Sequence, residues 1–190
     1  MWIEKRLWLV LVVLGAWPAE APAAPHETEV LVGSFVSPLW NRGRRRTFNY
    51  TGMFFREVWP LSLAGRPYAN WDWVGELFAA DVTPGFGHVV AGPSLLARRW
   101  LGRSGDTTRW YVQAGWGALY SDAYRTHDQL QLGEALEFKT TASVGFRTRR
   151  WRTWSWTGEL SFNHLSDGGL SDRNYGVHAL GMAFGLARSF

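Results

Sequence analysis

The chain has 190 residues, 46% of them hydrophobic and 16% aromatic, with a net charge of +4 and no cysteine. That length suits one domain, the missing thiols exclude disulfide and thiolate chemistry, and 13 Trp are too many for an average soluble domain. Trp and Tyr gather at membrane–water interfaces, where an apolar ring with one polar edge is at home. The basic balance suits nucleic acid or an anionic lipid surface, and composition alone does not choose.

The N-terminus chooses. Lys5 and Arg6 precede an apolar run from Leu7 to Trp17, and Ala21-Pro22-Ala23 follows as a small-residue cleavage site. A run of about 11 residues is too short to span a bilayer core roughly 30 Å thick. Residues 1–23 therefore read as a secretory signal peptide and residues 24–190 as the exported domain. No later apolar run is long enough for a transmembrane helix, and export removes nucleic acid from the expected partners.

Period-two alternation predicts eight strands, near 28–38, 47–58, 70–81, 86–100, 108–121, 130–148, 151–166 and 174–190. Turn-rich breaks separate them at Asn41-Arg42-Gly43, Ala64 to Pro67, Pro84-Gly85, Leu101 to Gly105, Arg147 to Arg150 and Asp167 to Arg173. In the seventh strand Trp154, Trp156, Leu160, Phe162, His164 and Ser166 share one parity, and Thr153, Ser155, Thr157, Glu159 and Asn163 the other. In the eighth, Leu180, Met182, Phe184, Leu186 and Phe190 alternate with Ala179, Gly181, Ala183, Gly185, Ala187 and Ser189. A greasy face against a polar or small one fits a narrow barrel with lipid outside and a crowded interior. A soluble sandwich or lipocalin-like barrel would alternate too, but the Trp excess, the small-residue face and the terminal Phe190 argue against it. The expected fold is an eight-stranded antiparallel β-barrel spanning the outer membrane of a Gram-negative bacterium. Glu134, Glu137 and Glu159, with arginines, are expected to build its polar interior.

The segment from Phe162 to His178 is the one that could carry chemistry. His164 and Ser166 are two apart on a strand, so both side chains point to the lipid face, where a polar pair gains nothing structurally. A neighbouring His can take a proton from a Ser hydroxyl and make it a nucleophile, while Gly168, Gly169 and Asn174 offer N–H donors for an oxyanion. With both termini in the periplasm, Asp167 to Arg173 is an outer loop. The pair then lies level with the outer leaflet, whose esters are those of lipopolysaccharide.

Here the sequence resembles the PagL lipid A 3-O-deacylases, through His164, Ser166, Gly169, Leu170, Asn174, Gly176 and Val177. Weaker likeness extends to Glu76-Leu77-Phe78, Gly92-Pro93, Tyr111 to Gly117 and Leu132-Gly133. The resemblance implies Ser166 as nucleophile, His164 as general base, and Asn174 with the Gly169 N–H as oxyanion donors. It implies no cofactor, lipid A and outer-membrane lipid as partners, and leaves a homodimer open. Two positions depart from the pattern. Asp167 stands where the family has Asn, and His178 stands at the position of the triad acid, so that Asp167 or Asp172 are the alternatives for that role. An imidazole can orient His164 by one hydrogen bond but does not offset an imidazolium's charge. The alternative is a non-catalytic barrel that keeps the fold.

Elsewhere His127-Asp128 reads as a solvated loop pair, and His26 and His88 lack metal-ligand spacing. Arg42 to Arg46 fall in the first outer loop, as a solvated face or a contact for lipid A phosphates.

Overall fold

The computed structural model describes residues 26–37, 47–63, 66–103 and 105–190. The expected signal peptide and the Arg42–Arg46 run lie outside them. The strands are β1 (Glu27–Val36), β2 (Tyr50–Leu63), β3 (Arg66–Val82), β4 (Val89–Leu101), β5 (Thr108–Ser121), β6 (Leu136–Arg149), β7 (Trp154–Ser166) and β8 (Val177–Ser189). Each pairs antiparallel with the next, and β8 pairs with β1 to close the barrel. Closure removes every sheet edge, so the strand backbone meets lipid with its hydrogen bonds satisfied.

The alternation sorts as expected. Trp154, Trp156, Leu160, Phe162, Leu180, Met182 and Phe184 are 39–58% exposed, whereas Ser155, Thr157, Glu159, Ser161, Asn163, Ala179, Ala183 and Ala187 are buried. Apolar outside and polar or small inside is the membrane arrangement, the reverse of a soluble sandwich. Connections at one end are short, at 64–65, 102–107 and 150–153; those at the other end include 122–135 and 167–176. Short turns belong to the periplasmic side and longer ones to the outer side.

Several strand ends differ from the sequence expectation. β6 begins at Leu136 rather than near 130, because the Gln129 carboxamide turns 129–132 back on itself through the Gln131 and Leu132 amides and the Leu132 carbonyl. Glu134 accordingly lies outside the strands, half-buried, its backbone N–H donating to Glu137 at 3.1 Å. The break expected at Arg147–Arg150 starts only after Arg149, since Arg147 points inward to Glu27 and Glu29. β3 takes in Arg66, so the β2–β3 turn is tighter than the Gly-Pro cluster suggested.

The interior is layered. The outer half is aromatic, with Phe35 stacked on Tyr50 at 4.8 Å and Phe48 on Phe86 at 4.9 Å. Phe35 lies across Gly181, where an added Cβ would come within 2.4 Å of the ring, so only glycine admits it. Beneath lies a charged layer. Arg56 binds Glu76 at 2.7 Å and Glu159 at 2.8 Å, Arg98 binds Glu29 at 2.5 Å, and Lys139 binds Glu76 at 2.6 Å. Buried charge is tolerated only when paired in this way. At the short-turn end a cavity of about 390 Å³ is lined by His26, Trp71, Asp72, Trp100, Arg109 and Arg147.

Candidate active site

Register builds the site. In the β7–β8 ladder His164 pairs directly with His178, both on the lipid-facing parity. Directly opposed residues on one face bring their side chains together. Here the two Nδ1 atoms are 3.2 Å apart and the rings stack with centroids 4.7 Å apart, tilted by 26°. One Nδ1 must carry the proton and the other accept it, which leaves the Nε2 of His164 as its second functional atom. Phe162 also stacks on His178 at 5.8 Å. Gly176, with φ of +70°, lies against His164 so closely that a Cβ would meet Cε1 at 2.7 Å. Backbone, a partner imidazole and the strand itself thus hold the His164 ring.

Ser166 is the last residue of β7, half-buried, facing outward opposite Phe138. Among the described residues no hydrogen bond joins its hydroxyl to His164. Catalytic hydrogen bonds are often formed only with substrate in place.

The two carboxylates that could have replaced the acid do not serve His164. Asp167 has the opposite parity to Ser166 and is fully buried. It accepts the backbone N–H of Gly169 at 2.8 Å, Leu170 at 3.1 Å and Ser171 at 3.0 Å, and also the Ser171 hydroxyl. It is the post around which the loop winds. Asp172 is exposed, with no bond to His164 among the described residues.

Asp167 also corrects the expected oxyanion donors. The Gly169 N–H is spent on its carboxylate and so is not free for a substrate. The Gly168 N–H, with φ of +68° and packed over Phe138, has no acceptor among the described residues. Asn174 uses its carbonyl oxygen to accept the Asp167 N–H at 3.1 Å, which leaves its amide NH2 as a donor.

Sequence reasoning missed the support of this loop. The Arg173 guanidinium donates to three main-chain carbonyls of the neighbouring 122–135 loop, Tyr124 at 3.0 Å, Thr126 at 3.2 Å and Gly133 at 3.3 Å. Tyr175 and Gly176 then donate their N–H groups to Leu130 and Gln131, each at 3.0 Å. Carbonyl acceptors have no residue-type signature, so no sequence signal marks such a dock. The same loop opens with a short 3-10 turn, Asp122–Arg125. Asp122 accepts the His88 N–H at 2.7 Å and the Val89 N–H at 3.0 Å. Burial pushes its carboxyl up, but the two N–H donors outweigh that and hold it below the usual carboxylate range. Within this loop His127 and Asp128 are exposed. Among the described residues no cluster of three His, Asp or Glu could hold a metal.

The family model described as Lipid A 3-O-deacylase (PagL) matches residues 33–187. No curated protein matches the chain. Among solved structures, Neisserial surface protein A superimposes with a TM-score of 0.60 at 6% identity, over 90% of this chain and 100% of its own. The outer membrane enzyme PagL does so with a TM-score of 0.55 at 17% identity, over 84% and 99%. At such identities the two likenesses speak for the shared barrel alone.

Proposed function

The chain belongs to the PagL lipid A 3-O-deacylase family, a resident of the Gram-negative outer membrane, and from that premise we propose that it hydrolyses an ester-linked acyl chain of lipid A with Ser166 and His164. The observation that carries this reading is the His164–His178 pair, held at 3.2 Å on the lipid-facing wall two residues from Ser166. A pair of stacked imidazoles is of no use to lipid packing, and with His178 as the acceptor His164 carries its proton on Nδ1, which leaves Nε2 as the general base.

The steps follow from proton positions. Ser166 Oγ attacks the ester carbonyl carbon as its proton passes to His164 Nε2. The Asn174 amide and the Gly168 N–H face the oxyanion of the tetrahedral intermediate. Its collapse expels the sugar oxygen, which takes the proton back from His164, and leaves the acyl group on Ser166. Water then attacks the acyl-enzyme with His164 again as base, and releases the fatty acid. His178 accepts the Nδ1–H of His164 throughout, as a neutral orienting group in place of a carboxylate. Residues 1–23 act as the export leader.

A non-catalytic barrel is the second reading, favoured by the imidazole at position 178. Mass spectrometry of lipid A from Gram-negative cells decides between them. Wild type is expected to yield lipid A lighter by one acyl chain, and Ser166→Ala to leave it intact. Unchanged lipid A from a folded wild-type barrel rejects the hydrolase.

A further inference from the structure

We infer that Arg173 is a positioning residue that makes the 122–135 loop part of the deacylation site. This rests on the hydrolase reading above. Arg173 contacts neither Ser166 nor His164; its guanidinium is spent on three backbone oxygens, of Tyr124, Thr126 and Gly133. A planar fork with five donors can bind such a divergent set, and an ammonium cannot reproduce its geometry. The contacts bracket the loop, since Tyr124 and Thr126 lie near its start and Gly133 near its end. The dock is tight: a Cβ on Gly133 would fall 1.9 Å from the Ser171 hydroxyl and 2.8 Å from the Arg173 carbonyl.

The consequence runs along the chain. Residue 174 is the side chain that bonds the Asp167 N–H, and residue 176 is the backbone that lies against His164. Residue 174 stands between two anchors on the same neighbouring loop, Arg173 on one side and the Tyr175 and Gly176 N–H groups on the other, and residue 176 is part of the second anchor. Releasing Arg173 frees the stretch that aims the Asn174 amide and packs the His164 ring. Misplacement of a supporting element by about 1 Å costs on the order of a hundredfold in rate.

The test compares Arg173→Gln, Arg173→Lys and Gly133→Ala with Ser166→Ala, each refolded in detergent and judged folded by heat-modifiable migration. Against purified lipopolysaccharide, Arg173→Gln is expected to lower kcat at least tenfold with KM within about twofold. Arg173→Lys should recover part of that loss, and Gly133→Ala should mimic it from the other side of the dock. An unchanged kcat in Arg173→Gln, or a raised KM at constant kcat, overturns the proposal; the latter makes Arg173 a substrate contact. Hydrogen exchange of the Tyr175 and Gly176 amides reads the dock without turnover. They should exchange fast in Arg173→Gln and slowly in Ser166→Ala. Retained protection in Arg173→Gln defeats the proposal, whatever the activity. Lost protection with no hydrolysis by wild type keeps the dock and defeats the hydrolase instead.

Discussion

Replacing His178 by Glu tests what the imidazole pair does. The His164 and His178 Nδ1 atoms are 3.2 Å apart across one rung of the β7–β8 ladder, and Glu is long enough to bring an oxygen to the same place. When Ser166 attacks, His164 becomes an imidazolium. A carboxylate about 4 Å from that charge is worth about 4 kcal/mol at an effective dielectric constant of about 20. Part of this is offset by moving a carboxylate into a half-buried position on the lipid-facing wall, a cost of several kcal/mol that partial exposure reduces. A surplus of about 1.4–2.8 kcal/mol remains for the charged transition state, a ten- to hundredfold rise in kcat. The assay is release of fatty acid from lipopolysaccharide in mixed micelles under saturating substrate, with heat-modifiable migration as the folding control. A clear fall in kcat in a folded His178→Glu barrel refutes the reasoning. It would show that His178 does more than orient His164, and that a carboxylate there is a hindrance.

Three further outcomes are expected. Arg56→Met leaves Glu159 with Tyr111, Gln113 and Ser161 and Glu76 with Lys139, so the loss should sit near 3 kcal/mol in urea unfolding; Arg56→Met with Glu159→Met should recover most of it, and an equally unstable double variant would sink the pairing argument. Gly176→Ala forces a Cβ against His164 Cε1 at a φ of +70°, so turnover should fall at least tenfold in a folded barrel, and a wild-type rate would mean that this backbone does not hold the ring. Asp122→Ala should cost about 1 kcal/mol of thermal stability at pH 7, because two main-chain N–H groups lose a charged acceptor. Because the folded carboxyl lies below its ordinary range, its contribution is present above the unfolded value and fades as pH falls through the folded one; an Asp122→Ala penalty undiminished at pH 2 contradicts this.

The barrel was legible because alternation is a backbone property. Each residue of β7 and β8 faces lipid or lumen by parity alone, and the Trp154, Trp156 and Phe162 face needed no tertiary information. Strand ends were less legible, because Gln129 and Arg147 act through partners distant in sequence. The meeting of His164 and His178 was readable from shared parity on consecutive strands, given a register that the short loop permits. The fate of the Gly169 N–H was not, since it turns on Asp167 pointing inward and taking several donors at once. Arg173 was invisible for the same kind of reason: its acceptors are carbonyls.

The charged layer links strands that insertion must bring together from afar. Glu29 on the first strand finds Arg98 on the fourth and Arg147 on the sixth, and Arg56 on the second finds Glu159, 103 residues later, on the seventh. Among the ion pairs of the described residues, Arg56 alone also reaches neighbouring strands, to Glu29 across β1–β2 and to Glu76 across β2–β3. A sheet zipped halfway therefore carries Glu29, Arg98 and Glu159 without their full complement, in a medium where an unmatched charge costs several kcal/mol. Contacts of such sequence separation form late and together. Seam closure and neutralisation of the lumen are then a single cooperative event, and a half-inserted intermediate has no resting place in the bilayer.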